Sequence, residues 1–127
     1  MVAERRQHPR YRVRGGEFEV FSRDSKIIGK LNNINQGGLA FQYSPVEGQK
    51  AASETIDIMA KGPDPFYLPS VACRTIFDIS VLSEDQSFTG AVTRLCGVKF
   101  VRLQNDQTQK LTLIIKKYGL EPDDDPG

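Results

Sequence analysis

Two stretches of this chain carry residue types able to grip a small anionic ligand. In the first, Glu4 to Arg14, five arginines, one histidine and one glutamate sit in eleven residues, with no lysine. A guanidinium group is planar, stays charged, binds phosphate through paired donors and stacks on aromatic faces. Arg6 and Arg10 are separated by three residues, and Pro9 stiffens the path between them. Two guanidinium groups so held could embrace one compact dianion or lie on a purine face. The second stretch is Asn33-Ile34-Asn35-Gln36-Gly37-Gly38. If extended, it turns the amides of Asn33 and Asn35 to one side, toward a hydrogen-bonding edge. Gly37 and Gly38 would let backbone approach a ligand closely. Each stretch also has a plainer reading. The first could be a solvated terminus or a nonspecific nucleic-acid arm, and the second a simple turn.

Other chemistries find little support. The chain has one histidine, His8, and two cysteines, Cys73 and Cys96, each within an apolar run. That supply argues against a clustered metal site and favours two reduced core thiols. His8 has no nucleophile or paired carboxylate beside it, so an enzyme is the least favoured class. Asp57, Asp64, Asp78 and Asp85 are scattered without metal-ligand spacing and read as surface or turn residues. The net charge of +1 hides an asymmetry of +4 over residues 1–14 against −4 over residues 121–127. No run approaches the length of a membrane span and no signal peptide precedes the arginines, so the expected compartment is the cytoplasm.

The elements that must position these residues follow from periodicity. At 127 residues one domain is expected. Glu17–Phe21 and Lys26–Leu31 read as a hairpin, and Leu39–Phe41 resumes a strand after the asparagine–glycine turn. Thr55–Ala60 alternates, with Ile56 and Ile58 on one face. Phe66–Phe77 has strand composition, although Pro69 places its first residues at an edge or outside the sheet. Gly97–Leu103 alternates for most of its length. Leu111, Ile114, Ile115 and Tyr118 then share one helical face, with Asn105 or Asp106 as cap and Gly119 as terminator. Short strands followed by one helix suggest a small barrel or sandwich, with the helix covering an open end or face. Residues 1–14 show neither period and read as a flexible arm. Residues 15–119 form the folded unit, and residues 120–127 an acidic, frayed tail.

Taken together, Arg-x-x-x-Arg, one hairpin, and then Asn33-Ile34-Asn35-Gln36-Gly37-Gly38 followed by Leu39-Ala40-Phe41 resemble the PilZ family, bacterial receptors for cyclic di-GMP. The resemblance runs from Glu4-Arg5-Arg6 to Gly97-Val98-Lys99-Phe100 and the closing helix. It implies a mainly β fold, a six-stranded antiparallel split β-barrel with a C-terminal α-helix, with the ligand on the outer surface under the arginine segment. It implies that Arg6 and Arg10 grip phosphates and guanine, assisted by Arg5. Asn33 and residue 35 would bond a guanine edge, and Gly38, beside Gly37, would leave room for the base. It implies a non-enzymatic receptor without cofactor or metal, monomeric or homodimeric. Such a receptor turns cyclic di-GMP binding into a changed surface for a protein partner in motility, biofilm or exopolysaccharide control. This chain has Asn35 where the family has serine. Asn33 is within the family's range, but a neutral amide forgoes a charge-assisted bond stronger by about 1–2 kcal/mol, so weaker binding than is typical is expected. The alternative is a degenerate member that binds protein and not the nucleotide. A nucleic-acid-binding barrel is disfavoured by the near-neutral balance outside the arm and the lack of an aromatic stacking platform.

Overall fold

The structure, a computed structural model, describes residues 11–13, 18–45, 50–51, 53–61, 65–81 and 93–122. In chain order the elements are β1 (Tyr11–Val13), β2 (Phe18–Ser22), β3 (Ile27–Ile34), β4 (Gly38–Tyr43), β5 (Thr55–Ala60), β6 (Phe66–Val81), β7 (Thr93–Phe100), α1 (Asn105–Tyr118) and β8 (Gly119–Pro122). Strands β2, β5, β6, β7, β4 and β3 pair in that order, and β3 returns to β2, which closes a six-stranded antiparallel barrel. Closure removes the free edges that an open sheet would expose. The short strand β1 is added on β3, with β8 beyond it.

Alternation in the sequence becomes the inside and outside of the barrel. Phe18 and Val20 of β2, Ile56 and Ile58 of β5, and Phe41 of β4 are among the buried residues of one continuous core. Each such side chain contributes about 1.5–3 kcal/mol on leaving water. Leu111 and Ile114 of α1 are fully buried and belong to the same core, with Ile115 packed against it. The helix therefore covers the barrel through Leu111, Ile114 and Ile115 of the face its spacing predicts, while the side chain of Tyr118 lies outside the described residues. Cys73 and Cys96 are buried free thiols. Burial is the main cause that pushes them up to about 11 and about 12 respectively.

Several local expectations change. Tyr11–Val13 form a strand, whereas the sequence placed them in a flexible arm. The remainder of the proposed arm lies outside the described residues. Residues 120–122, expected to open the frayed tail, join Gly119 in a strand, and residues 123–127 lie outside the described residues. Both strands are short, with Tyr11 opposite Pro122 and Val13 opposite Gly119, and each is recognisable only through its partner. The first residues of β6 are not outside the sheet, because Phe66, Tyr67 and Leu68 pair with Ala60, Met59 and Ile58. Pro69 is accommodated at the register shift between Ile56 and Ile58, where Ser70 adopts φ 58°. Strand β6 runs past Phe77 to Val81, and β7 covers 93–100, starting and ending before the expected span. The helix cap is Gln104. Its N–H donates to Gln107 Oε1 at 3.1 Å, the N3-to-cap half of a capping box, and its carbonyl accepts the first helical bond, from Thr108 N, at 2.9 Å.

Two aspartates read as surface residues are structural. Asp57 is buried, and its Oδ1 accepts from Arg23 Nε and from Ser70 N, each at 2.8 Å. Asp78 accepts from Tyr43 Oη at 2.6 and 2.8 Å, and its Oδ1 accepts from Arg94 Nε at 2.8 Å. Tyr43 Oη in turn accepts from Ala51 N at 3.0 Å. This network ties β4, β6, β7 and the segment before β5 together. Burial first, and then the bond to Asp78, pushes the Tyr43 phenol up to about 12. Asp64 and Asp85 lie outside the described residues.

Candidate functional site

The corner between β3 and β4 is built by its own side chain. Asn35 Oδ1 accepts from Gly37 N at 2.6 Å and from Gly38 N at 2.9 Å, and Asn35 N donates to Gly38 O at 2.9 Å. This is a tight turn locked by an asparagine amide. Gly37 O then accepts from Phe100 N at 2.8 Å, which pins the corner to the end of β7. Gln36 Nε2 donates to Thr112 Oγ1 at 2.9 Å, which pins it to α1. Asn33 and Asn35 are therefore not two amides along one extended strand. Asn33 lies within β3, opposite Ala40 and one residue before the last pair, Ile34 with Leu39, while the oxygen of Asn35 serves the turn.

Gly38 also has a different reason from the one expected. A Cβ there would collide with the carbonyl oxygen of Val98, so glycine is required by the close pairing of β4 with β7.

Asn33 remains the notable polar group. It is 7% exposed, and its Oδ1 is buried with no hydrogen-bond partner. A buried acceptor left unmatched costs about 1–3 kcal/mol, so it implies either strain or an absent partner. Its flanking residues Leu31 and Ile34 belong to the core, and a register shift at Asn32 turns Asn33 outward, opposite Ala40. Ala40 pairs with Gly97, and Gly97 with Phe77. The neighbours Leu39, Phe41, Cys96 and Val98 all point into the core, so Ala40 and Gly97 face out. The Phe77 ring covers Gly97, since a Cβ on that glycine would strike the ring. Across β3, β4, β7 and β6 this gives a row of amide, methyl, bare backbone and aromatic ring. Three inter-strand steps make it about 14 Å long. It is a floor of small residues that is itself covered, with Ala40 2% exposed, Gly97 buried under the Phe77 ring, and an unsatisfied acceptor at the other end.

The leader enters beside this floor. Tyr11 is opposite Ile34 and Arg12 is opposite Asn33 in the β1–β3 ladder. Arg5, Arg6, His8 and Arg10 lie outside the described residues. Arg10 is nevertheless one peptide unit from Tyr11, about 3.8 Å between Cα atoms, and Arg6 can be no farther from Tyr11 than about 18 Å of extended chain. Of the seven residues expected to form the site, the structure brings Asn33, Asn35, Gly37 and Gly38 to one corner. For the three arginines it sets only the point from which they depart. Ala40, Gly97 and Phe77 are additions that sequence reading missed. The one linear signal was that Gly97 interrupts an otherwise bulky strand. Among the described residues, no cluster of three or more histidine, cysteine, aspartate or glutamate side chains could hold a metal, and no helix is long and apolar enough to cross a membrane.

No protein-family model and no curated protein matches this chain. Solved structures do. Klebsiella pneumonia MrkH in complex with c-di-GMP matches at TM-score 0.66 and 14% identity, over 91% of this chain and 52% of that one. The c-di-GMP-bound PilZ domain of Escherichia coli YcgR matches at TM-score 0.62 and 16% identity, over 91% and 92%. Bacillus subtilis MotI/DgrA, an inhibitor of motility, matches at TM-score 0.56 and 13% identity, over 91% and 52%. The chain has the PilZ-like fold, and it spans about half the length of the MrkH chains it matches.

Proposed function

We propose that this chain is a cyclic di-GMP receptor whose arginine leader closes over a nucleotide lying on the outer face of the barrel. Arg6 and Arg10, with Arg5, take the phosphates and a guanine face. Asn33 Oδ1 accepts from a guanine N–H, and the base lies over Ala40, beside the Phe77 ring that covers Gly97. The observation that carries this reading is the pairing of Tyr11 with Ile34 next to a buried amide oxygen that lacks a partner. The c-di-GMP bound by structurally similar PilZ domains supports it. Closing the leader changes the surface around the corner, and that change is what a protein partner in motility, biofilm or exopolysaccharide control would register. Calorimetric titration with cyclic di-GMP tests the reading, with saturable binding expected and loss of most affinity in Arg10→Ala.

The alternative, a protein-interaction module without nucleotide, draws on Asn35. Its oxygen is engaged by Gly37 and Gly38, so it offers a ligand less than a serine hydroxyl would. A thermal shift with cyclic di-GMP separates the two, since a ligand well above its Kd stabilises by a few kcal/mol.

A further inference from the structure

The outward row next to the Ala40–Gly97 floor reads Gly38, Lys99 and Arg74, each paired with the next across β4, β7 and β6. Lys99 and Arg74 are direct cross-strand partners, and both are exposed. Like charges placed opposite one another in an antiparallel ladder oppose its formation. Neither side chain makes an ion pair among the described residues. Arg74 does line a surface cavity of about 620 Å³ that also holds Asp24, Glu54 and Arg102. Asp24 Oδ2 accepts from Ser53 Oγ at 2.9 Å and Glu54 N at 2.7 Å, which holds its carboxylate in the charged form. The row thus sets two cations, neither in an ion pair among the described residues, beside a glycine that presents no side chain. It lies two residues along the strands from the floor that ends in the unpartnered, buried Asn33 oxygen.

We propose that Lys99 and Arg74 form a second anion seat of the same site, taking the ligand phosphate that lies toward β7 and β6 while the leader arginines take the other. This assignment rests on the cyclic di-GMP reading above. It explains why two like charges are tolerated at one register: a bridging phosphate converts their repulsion into paired attraction. It also gives the rigid barrel, and not only the leader, a charged share in recognition.

The test uses the full chain and the variants Lys99→Gln, Arg74→Gln and their double, titrated with cyclic di-GMP at low and at moderate salt. Each single variant is expected to bind about tenfold more weakly and the double more weakly still, with a shallower dependence on salt. Without ligand, the double variant is expected to melt no lower than the native chain, because a repulsive pair has been removed. Native binding with unchanged affinity and salt dependence in the double variant would overturn the second seat and leave the receptor reading standing. No binding by the native chain would overturn both. A double variant that melts far below the native chain would show that the pair has a structural role, which also overturns the proposal.

Discussion

Gln36 Nε2 donates to Thr112 Oγ1 at 2.9 Å, so the turn between β3 and β4 is joined directly to the exposed side of α1. Thr112 Oγ1 in turn donates to Thr108 O at 2.9 Å within the helix. An exposed bond of this kind contributes about 0.5–1 kcal/mol. Gln36→Ala is expected to lower unfolding stability by no more than about 1 kcal/mol. It is also expected to remove nucleotide-dependent protection of helix amides near Thr112 in hydrogen exchange. Equal protection in native chain and variant would show that α1 does not sense the corner through this contact.

The unmatched oxygen of Asn33 implies a conflict between stability and binding. Asn33→Leu removes a buried acceptor that no protein group satisfies. Its unfolding free energy by urea denaturation is expected to equal that of the native chain or exceed it by up to about 1 kcal/mol, while nucleotide affinity falls at least tenfold. A variant that is strongly destabilised would show that the oxygen is matched within the protein.

Two glycines are required for different reasons, and substitution separates them. In Gly97→Ala the new methyl meets the Phe77 ring, a side chain that can be replaced. A cost of about 1–3 kcal/mol is expected, relieved largely by adding Phe77→Leu. In Gly38→Ala the methyl meets the Val98 carbonyl, which is backbone, so no single side-chain change should rescue it. Thermal melts of the two singles and the Gly97→Ala/Phe77→Leu double check this.

Much of the fold is legible in the sequence, because alternation at Phe18 and Val20 or at Ile56 and Ile58, and helical spacing at Leu111 and Ile114, report burial directly. Strands β1 and β8 are not legible. They are three and four residues long, too short to show a period, and β1 is held by β3 and β8 while β8 is held by β1. Gln104 escapes notice as a cap because glutamine is not a favoured cap, and here its backbone is held by Gln107. The corner was readable as asparagine and glycine chemistry. The floor was not, because Asn33, Ala40, Gly97 and Phe77 meet only through the registers of four strands. Asp57 and Asp78 were misjudged for the same reason: their partners Arg23, Tyr43 and Arg94 are distant in sequence.

Alkaline pH should unfold this barrel early. Tyr43, Cys73 and Cys96 are held protonated in the fold, pushed up to about 12, about 11 and about 12. Above their ordinary values near 9 to 10 the unfolded chain sheds these protons while the folded chain keeps them. Stability therefore declines as pH rises from about 9 toward 12, and these three groups leave it unchanged below that window. Urea midpoints at pH 7, 9 and 10.5 test the sign. The same burial predicts that both thiols react with a maleimide only after unfolding.

The central claim is that the leader leaving Tyr11 folds over a nucleotide set against Asn33. Isothermal titration of the native chain with cyclic di-GMP, beside Arg10→Ala and Asn33→Leu, addresses it most directly. The account predicts saturable binding by the native chain and at least tenfold loss in each variant. No heat and no thermal stabilisation with the native chain, or equal affinity in all three, would contradict it.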